Sequence, residues 1–248
     1  MHNFNQNLFD ELTNNGIVAI DNYFSDEDKK NLNTVFGDIN NNYVKYQTNS
    51  KDIKLLSSSI FQLIKESEIQ DLLKKYLEGE AVCTTFHYSN QKVKISNDEN
   101  YEIKNSGVCA FHHDDCGKQI KINILISDLE KNSNGLDYAI GSHKINNLDK
   151  FILKLFKKFS LFSNWDKHFL SHFINKYYYK IRHNFSYEKK IIKNYQIKKI
   201  YGQEGMIYIF DTNGYHRQSV IKELPKKLTD RKVLTLYFVN KEKLKFSF

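Results

Sequence analysis

Proline is nearly absent from this chain of 248 residues, which contains a single one at Pro225. No proline- or serine-rich stretch interrupts the sequence, so nothing in it resembles a linker between domains. We therefore expect a single domain over residues 1–248, long enough to bury a substantial core.

Cysteine is also scarce. The three cysteines, Cys83, Cys109 and Cys116, cannot all pair with one another. Such a small, odd number argues against the disulfide framework of small secreted proteins and favours a reducing compartment.

Long apolar runs are missing as well. The first nine residues are polar and lack the apolar core of a signal peptide. No run approaches the roughly 18–20 apolar residues that are needed to span a bilayer. We therefore expect a cytoplasmic protein.

Positive charge is in excess but unevenly distributed. Residues 144–199 contain 14 basic and 3 acidic residues, a net +11, against +8 for the whole chain, so the remainder carries −3. A nucleic-acid-binding protein more often carries its basic charge on the folded core, so we expect no nucleic-acid partner.

Apolar residues at helical spacing in this basic segment predict a basic helical lid, inserted at about 145–200. Its lysines form a solvated face, bind an anionic substrate or contact a membrane surface, and the sequence leaves these alternatives open.

Helical patterns dominate the beginning of the chain and strand patterns most of the rest. Ser25, followed by three acidic residues, predicts the N-cap of a helix, and residues 60–77 predict another. Alternating or β-branched segments predict strands at 81–88, 108–111, 120–127, 205–210 and 233–239. This order predicts an α+β fold with a double-stranded β-helix core (a jelly roll, cupin-like) flanked by N-terminal helices.

An H-x-D pattern lies in the strand-like segment Phe111-His112-His113-Asp114-Asp115. Because residues two apart on a strand point to the same face, an imidazole and a carboxylate at this spacing can reach one metal ion. A second histidine would complete the two-histidine, one-carboxylate ligand set of non-haem Fe(II) oxygenases, which leaves three coordination positions open.

His216 is the favoured second histidine, since it follows a strand and a glycine-containing turn. The rival histidines are His143, His168, His172 and His183.

Two alternatives to the His112/Asp114 pair remain. His113 and Asp115 have the same spacing. In addition, Cys109-x-x-His112 and His113-x-x-Cys116 place four thiolate and imidazole groups within eight residues, a ligand type typical of tetrahedral zinc. One extended strand cannot easily fold four side chains around one ion, so we favour iron over zinc.

Several motifs, in order, resemble those of the phytanoyl-CoA dioxygenase-like Fe(II)/2-oxoglutarate oxygenases. The similar features are residues 12–20 followed by the Ser25-capped helix, Phe111-His112-x-Asp114, the strand at 121–128 with the turn at Asn134-Gly135, Gly141-Ser142-His143-Lys144, residues 205–211 with His216, and Arg231 with Leu234 and Tyr237. The similarity covers most of the chain, and the basic segment is its weak region.

The resemblance implies a site for Fe(II), 2-oxoglutarate and O₂. Its metal ligands are His112, Asp114 and His216. The arginine that binds the distal carboxylate of 2-oxoglutarate is Arg231, with Arg217 as the alternative. Lys121, Asn123 and Ser219 are the further candidates for binding the co-substrate; the place where the family often has a small hydroxyl is held by Gln218, one residue before Ser219.

The implied reaction is hydroxylation of a C–H bond in a small-molecule substrate, with release of succinate and CO₂. The carboxylate of Asp114 favours hydroxylation over halogenation, because related halogenases lack it. Two alternatives are a catalytically inert metal- or ligand-binding protein on the same fold and a peripheral-membrane oxygenase acting on a lipid-linked substrate.

Overall fold

The computed structural model describes residues 5–36, 43–47, 60, 68–91, 111–112, 114, 119–131, 133–144, 191–219 and 231–244. Several sequence predictions lie outside these residues. They are most of the basic lid, the alternative pair His113 and Asp115, the cysteines Cys109 and Cys116, and the histidines His168, His172 and His183.

The bounds of four helices and nine strands lie within the described residues. The helices are α1 (Gln6–Asn15), α2 (Asp26–Phe36), α3 (Glu68–Leu77) and α4 (Lys241–Leu244). The strands are β1 (Ile17–Ile20), β2 (Tyr43–Gln47), β3 (Ala81–Gln91), β4 (Gln119–Leu125), β5 (Leu136–Ala139), β6 (Ile197–Ile200), β7 (Ile207–Asp211), β8 (His216–Gln218) and β9 (Arg231–Asn240). No helix among them is long and apolar enough to cross a membrane.

Local side-chain contacts begin the first two helices. The side chain of Asn5 accepts a hydrogen bond from the backbone N–H of Leu8, which caps α1. Ser25 caps α2, as predicted: its hydroxyl accepts from the N–H of Asp28, whose carboxylate accepts in return from the N–H of Ser25. Gly16 ends α1 at a φ of 78°, which glycine adopts without strain, and leads directly into β1.

The strands form two antiparallel sheets. The larger has the order β1-β7-β4-β9-β3-β2 and the smaller has the order β6-β5-β8. The predicted α+β fold with a jelly-roll core is therefore confirmed.

Strand β4 shows how the core is divided. Ile120, Ile122 and Ile124 pack outward into a cluster with apolar residues of α1, α2 and α3. Leu125 points inward, into a second cluster shared by the two sheets. The alternate register places Lys121 and Asn123 on the same inner face as Leu125. The sequence prediction of one apolar and one partly polar face on this strand is thus confirmed.

Four strands were absent from the sequence prediction: β2, β5, β6 and β8. Strand β6 also corrects the predicted end of the lid, because Ile197–Ile200 pairs with Leu136–Ala139 and belongs to the smaller sheet. Each missed strand has only three to five residues, too few for alternation to be recognised.

The turn between β7 and β8 packs tightly against β5. The hydroxyl of Tyr138 donates a hydrogen bond of 2.9 Å to the carbonyl oxygen of Asp211, at the start of this turn. The same hydroxyl lies so close to Gly214 that a β-carbon there would overlap with it. Only glycine fits at this position, two residues before His216.

We therefore expect Gly214→Ala to lower the free energy of unfolding by roughly 1–3 kcal/mol, because the added methyl overpacks the contact with Tyr138. In a Tyr138→Leu background the same substitution should cost less, since the overlapping ring is gone. Urea denaturation of the four proteins gives both values. A cost that is the same in the two backgrounds would show that the ring of Tyr138 is not the obstacle.

Candidate metal centre

Three predicted ligands come together in the structure. His112, Asp114 and His216 each offer a nitrogen or oxygen atom, and these atoms lie within 4.8 Å of one another. Oδ1 of Asp114 is 3.8 Å from Nε2 of His216, and the centroids of the two imidazole rings are 4.6 Å apart.

Backbone hydrogen bonds bring these distant parts of the chain together. The N–H of His112 donates to the carbonyl of His216 at 2.9 Å, and the N–H of His216 donates to the carbonyl of His112 at 2.8 Å. The N–H of Asp114 donates to the carbonyl of Thr212 at 3.0 Å. The segment with the H-x-D pattern thus lies alongside β8 and the turn before it.

The ring of His216 is oriented by the backbone. Its Nδ1 is 2.8 Å from the carbonyl oxygen of Gly214, which can only accept, so Nδ1 carries the hydrogen. The lone pair is then on Nε2, which is buried and has no hydrogen-bond partner in the described part of the chain. Metal-bound histidines are commonly held in this way, by a hydrogen bond from the nitrogen that does not bind the ion.

Burial also keeps this imidazole neutral. Together with the neighbouring His112, it lowers the pKa of His216 to about 3. A neutral ring is the form that binds a metal ion, since protonation would occupy the lone pair.

Asp114 is held as a carboxylate. Burial by itself raises its pKa, but the interactions with His216 and with the Lys121 ammonium outweigh burial, and the pKa lies below its usual value. Nζ of Lys121 is 2.5 Å from Oδ2 of Asp114. Lys121, predicted as a co-substrate group, is therefore paired with a candidate metal ligand in this structure.

The donor set fits a divalent ion. Nitrogen and oxygen atoms bound at about 2.1 Å to one ion lie roughly 3 Å apart when they occupy adjacent positions. The 3.8 Å between Asp114 and His216 therefore closes with a small side-chain movement. Two imidazoles and one carboxylate suit Fe(II). Nε2 of His216 has no hydrogen-bond partner among the described residues, and such an ion would supply one.

Arg231 lies buried on β9, at 8% exposure. Its Nη2 donates a hydrogen bond of 3.1 Å to the hydroxyl of Tyr208. Tyr208 stands opposite Asn123 in the register of β7 and β4, so these two residues share the inner face of the larger sheet. Tyr208 was not among the residues predicted for the site, although the alternation within the strand at 205–210 places it on that face.

Ser219 and Arg217 do not join the metal centre. Both side chains bind the buried carboxylate of Asp137: the Ser219 hydroxyl donates to Oδ1, and Nε of Arg217 donates to Oδ2 at 3.0 Å. Arg217 alternates with His216 along β8 and so points to the opposite face of the smaller sheet. Ser219, predicted to bind the co-substrate, is thus paired with Asp137 in this structure, and Arg217 also covers the ring of Phe111.

The motif Gly141-Ser142-His143-Lys144 contacts the turn before His216 and helix α1. The Ser142 hydroxyl accepts a hydrogen bond of 2.8 Å from the N–H of Tyr215, the residue before His216. Nε2 of His143 lies 3.0 Å from the carbonyl oxygen of Thr13 and joins this turn to α1. His143, one of the rival histidines, is therefore outside the metal centre.

Several solved structures have the same fold. AviO1 from Streptomyces viridochromogenes aligns over 97% of this chain and 97% of its own, at 10% identity and a TM-score of 0.54. The non-heme alpha ketoglutarate dependent epimerase SnoN from nogalamycin biosynthesis aligns over 95% and 82%, at 10% identity and a TM-score of 0.57. EctD from S. alaskensis with bound Fe aligns over 95% and 76%, at 11% identity and a TM-score of 0.53.

At these identities the likeness shows a shared fold. No protein-family model and no curated protein matches the chain. The resemblance to the phytanoyl-CoA dioxygenase-like family thus depends on the motifs themselves.

The choice between the two H-x-D registers can be tested by metal binding. We expect His112→Ala to lower the affinity for Co(II) at least about tenfold, because a ligand is lost, and His113→Ala to retain it. Isothermal titration of the metal-free proteins with Co(II) measures both. The reverse result would assign the site to His113 and Asp115.

The neutral His216 predicts a pH dependence of stability. Its pKa is about 3 in the folded protein and near 6.5 in the unfolded chain. Below pH 6.5 the unfolded chain therefore takes up a proton that the folded protein does not, and stability falls as the pH falls. Between pH 7 and 5 the metal-free protein should lose about 2 kcal/mol more than a His216→Gln variant. Urea denaturation at the two pH values tests this, and equal losses would mean that His216 is not buried as a neutral ring.

Proposed function

We propose that this protein is an Fe(II)- and 2-oxoglutarate-dependent dioxygenase, similar to the phytanoyl-CoA dioxygenase-like family, that hydroxylates a C–H bond of a small metabolite. The observation that carries the proposal is the meeting of His112, Asp114 and His216 beside the inner face of the larger sheet. Succinate and CO₂ are the products from the co-substrate.

The number of ligands favours a catalytic ion over a structural one. Structural zinc sites are usually closed by four protein ligands, whereas a catalytic site leaves positions open for reactants. Among the described residues this cluster offers three ligands. Two imidazoles and one carboxylate are the set typical of non-haem Fe(II) oxygenases.

The polar groups buried between the sheets support a place for 2-oxoglutarate. The planar guanidinium of Arg231 is suited to a two-pronged contact with the far carboxylate. Asn123 and Gln218 are both buried, at 4% and 5% exposure. One amide atom of each has no hydrogen-bond partner among the described residues. Since buried polar atoms are normally satisfied, a bound polar molecule accounts for both.

The fold likeness agrees with these cofactors. SnoN is described as alpha ketoglutarate dependent, and one EctD structure contains 2-oxoglutarate and 5-hydroxyectoine. Because one fold supports many reactions, this likeness supports the cofactors and leaves the substrate to be found. The basic segment at 144–199 favours an anionic metabolite.

When bound, Fe(II), 2-oxoglutarate and O₂ would together supply the oxidising chemistry, and the residues of this chain would bind and orient them and exclude water. His216 keeps its Nε2 lone pair available because Gly214 holds the hydrogen on Nδ1. Asp114 stays ionised beside Lys121. The apolar cluster between the sheets, which includes Tyr208 and Phe210, limits access of water to the reactants.

The proposal predicts slow formation of succinate from 2-oxoglutarate in air by the Fe(II)-loaded protein, even without the true substrate. Arg231→Lys keeps the charge but loses the two-pronged contact, so the KM for 2-oxoglutarate should rise roughly 10- to 100-fold. Succinate assayed over a range of 2-oxoglutarate concentrations measures this. Lys198→Met, a lysine that is paired with Glu11 away from the site, is the control and should behave as wild type.

Asp114→Ala should abolish succinate formation. Stoichiometric Fe(II) binding by the wild-type protein, with no 2-oxoglutarate consumed in the presence of any candidate substrate, would instead indicate an inert binding protein on the same fold. Wild-type turnover by the Asp114→Ala variant would refute the ligand assignment.

A further inference from the structure

The two oxygens of Asp114 have different neighbours. Oδ1 faces Nε2 of His216 at 3.8 Å, and Oδ2 faces Nζ of Lys121 at 2.5 Å. One oxygen is thus on the side of the other candidate ligands, and the other oxygen is held by a cation of the protein itself.

Lys121 is held in place by its strand and by two aromatic rings. It lies on β4, which pairs with β7 on one side and with β9 on the other. Its Nζ is 4.9 Å from the ring centroid of Tyr237 and 5.9 Å from that of Phe210. Aromatic rings attract an ammonium group at such distances.

The ion pair is also largely withdrawn from solvent. The side chains of Lys121 and Asp114 are 13% and 24% exposed. Salt screens such a pair less than an exposed one, and removing one partner leaves the other charge uncompensated.

We propose that Lys121 is a positioning residue of the metal centre. Its ammonium acts as a built-in counter-ion that holds Oδ2 of Asp114, so that the carboxylate presents Oδ1 alone to a metal ion. A carboxylate that bound through both oxygens would fill a second coordination position. Binding through one oxygen keeps three positions open for co-substrate and O₂. The inference rests on the metal site of the proposed function and is independent of turnover.

This arrangement has a cost for metal binding. In the metal-free protein Lys121 compensates the charge of Asp114 and stabilises the fold. When a divalent ion binds, the Lys121 ammonium repels it and competes with it for the carboxylate of Asp114. Lys121 should therefore raise the stability of the metal-free protein and lower the affinity for the ion.

The test compares Lys121→Met, which keeps the length and apolar character of the side chain, with Lys198→Met. The control removes a lysine from another ion pair, with Glu11 at 3.1 Å. We expect Lys121→Met to lower the melting temperature of the metal-free protein by roughly 3–6 °C. Its affinity for Co(II) in isothermal titration should rise, by roughly tenfold. Lys198→Met should change neither value to this extent.

Two further variants show whether Asp114 is the partner. Lys121→Arg keeps the charge and should leave the melting temperature near that of the wild type. In an Asp114→Asn background there is no charge to compensate, so adding Lys121→Met should no longer lower the melting temperature.

An unchanged melting temperature of metal-free Lys121→Met, or a weaker affinity for Co(II), would overturn the proposal. If only the affinity of the Co(II)-loaded protein for 2-oxoglutarate fell, Lys121 would be a co-substrate group instead. None of these measurements requires turnover. If the succinate assay showed no turnover, the oxygenase proposal would fail, but the melting temperatures and the Co(II) affinities would still test the role of Lys121.

Discussion

The candidate site depends on one backbone pairing. The segment containing His112 and Asp114 lies far in sequence from the turn that leads to His216, where β8 begins, and three hydrogen bonds join the two segments. The reciprocal bonds between His112 and His216 fix the register, and the bond from Asp114 to Thr212 continues it. Since alternate residues of an extended chain share a face, this register decides which histidine and which carboxylate meet the ring of His216. A shift of this pairing by one residue would turn the side chains of His112 and Asp114 away from the ring of His216.

The surroundings of the turn explain why it holds this shape. Asp211, at its start, is buried and accepts hydrogen bonds from the hydroxyl of Tyr76 and from the N–H of Asn213. Tyr138 binds the carbonyl of the same residue, and Ser142 binds the turn just before His216. Helix α3 and strand β5 thus both contribute to the orientation of one imidazole. The rigidity comes from residues that would not bind the ion themselves, as is common around metal sites.

The sequence was sufficient for the parts of the fold with strong local signals. The longer strands β3, β4 and β9 alternate over enough residues to be recognised, and Ser25 marks the start of α2 through a local capping contact. The H-x-D pattern and His216 could be proposed because the residue types themselves suggest the chemistry. The short strands lack a period, so β5, β6 and β8 emerge only from their pairing. The partners of Ser219 and Lys121 were equally hidden, because Asp137 and Asp114 reach them from other parts of the chain.

Anomalous diffraction at the iron absorption edge, from crystals grown without oxygen in the presence of Fe(II), would locate the ion directly. Our account predicts one strong peak, at about 2.0–2.3 Å from a nitrogen of His112, an oxygen of Asp114 and Nε2 of His216. Oδ2 of Asp114 should still be paired with Lys121. A peak bound instead by Cys109, His113 or Cys116 would contradict this metal centre. So would the absence of a peak between His112, Asp114 and His216 in crystals saturated with iron.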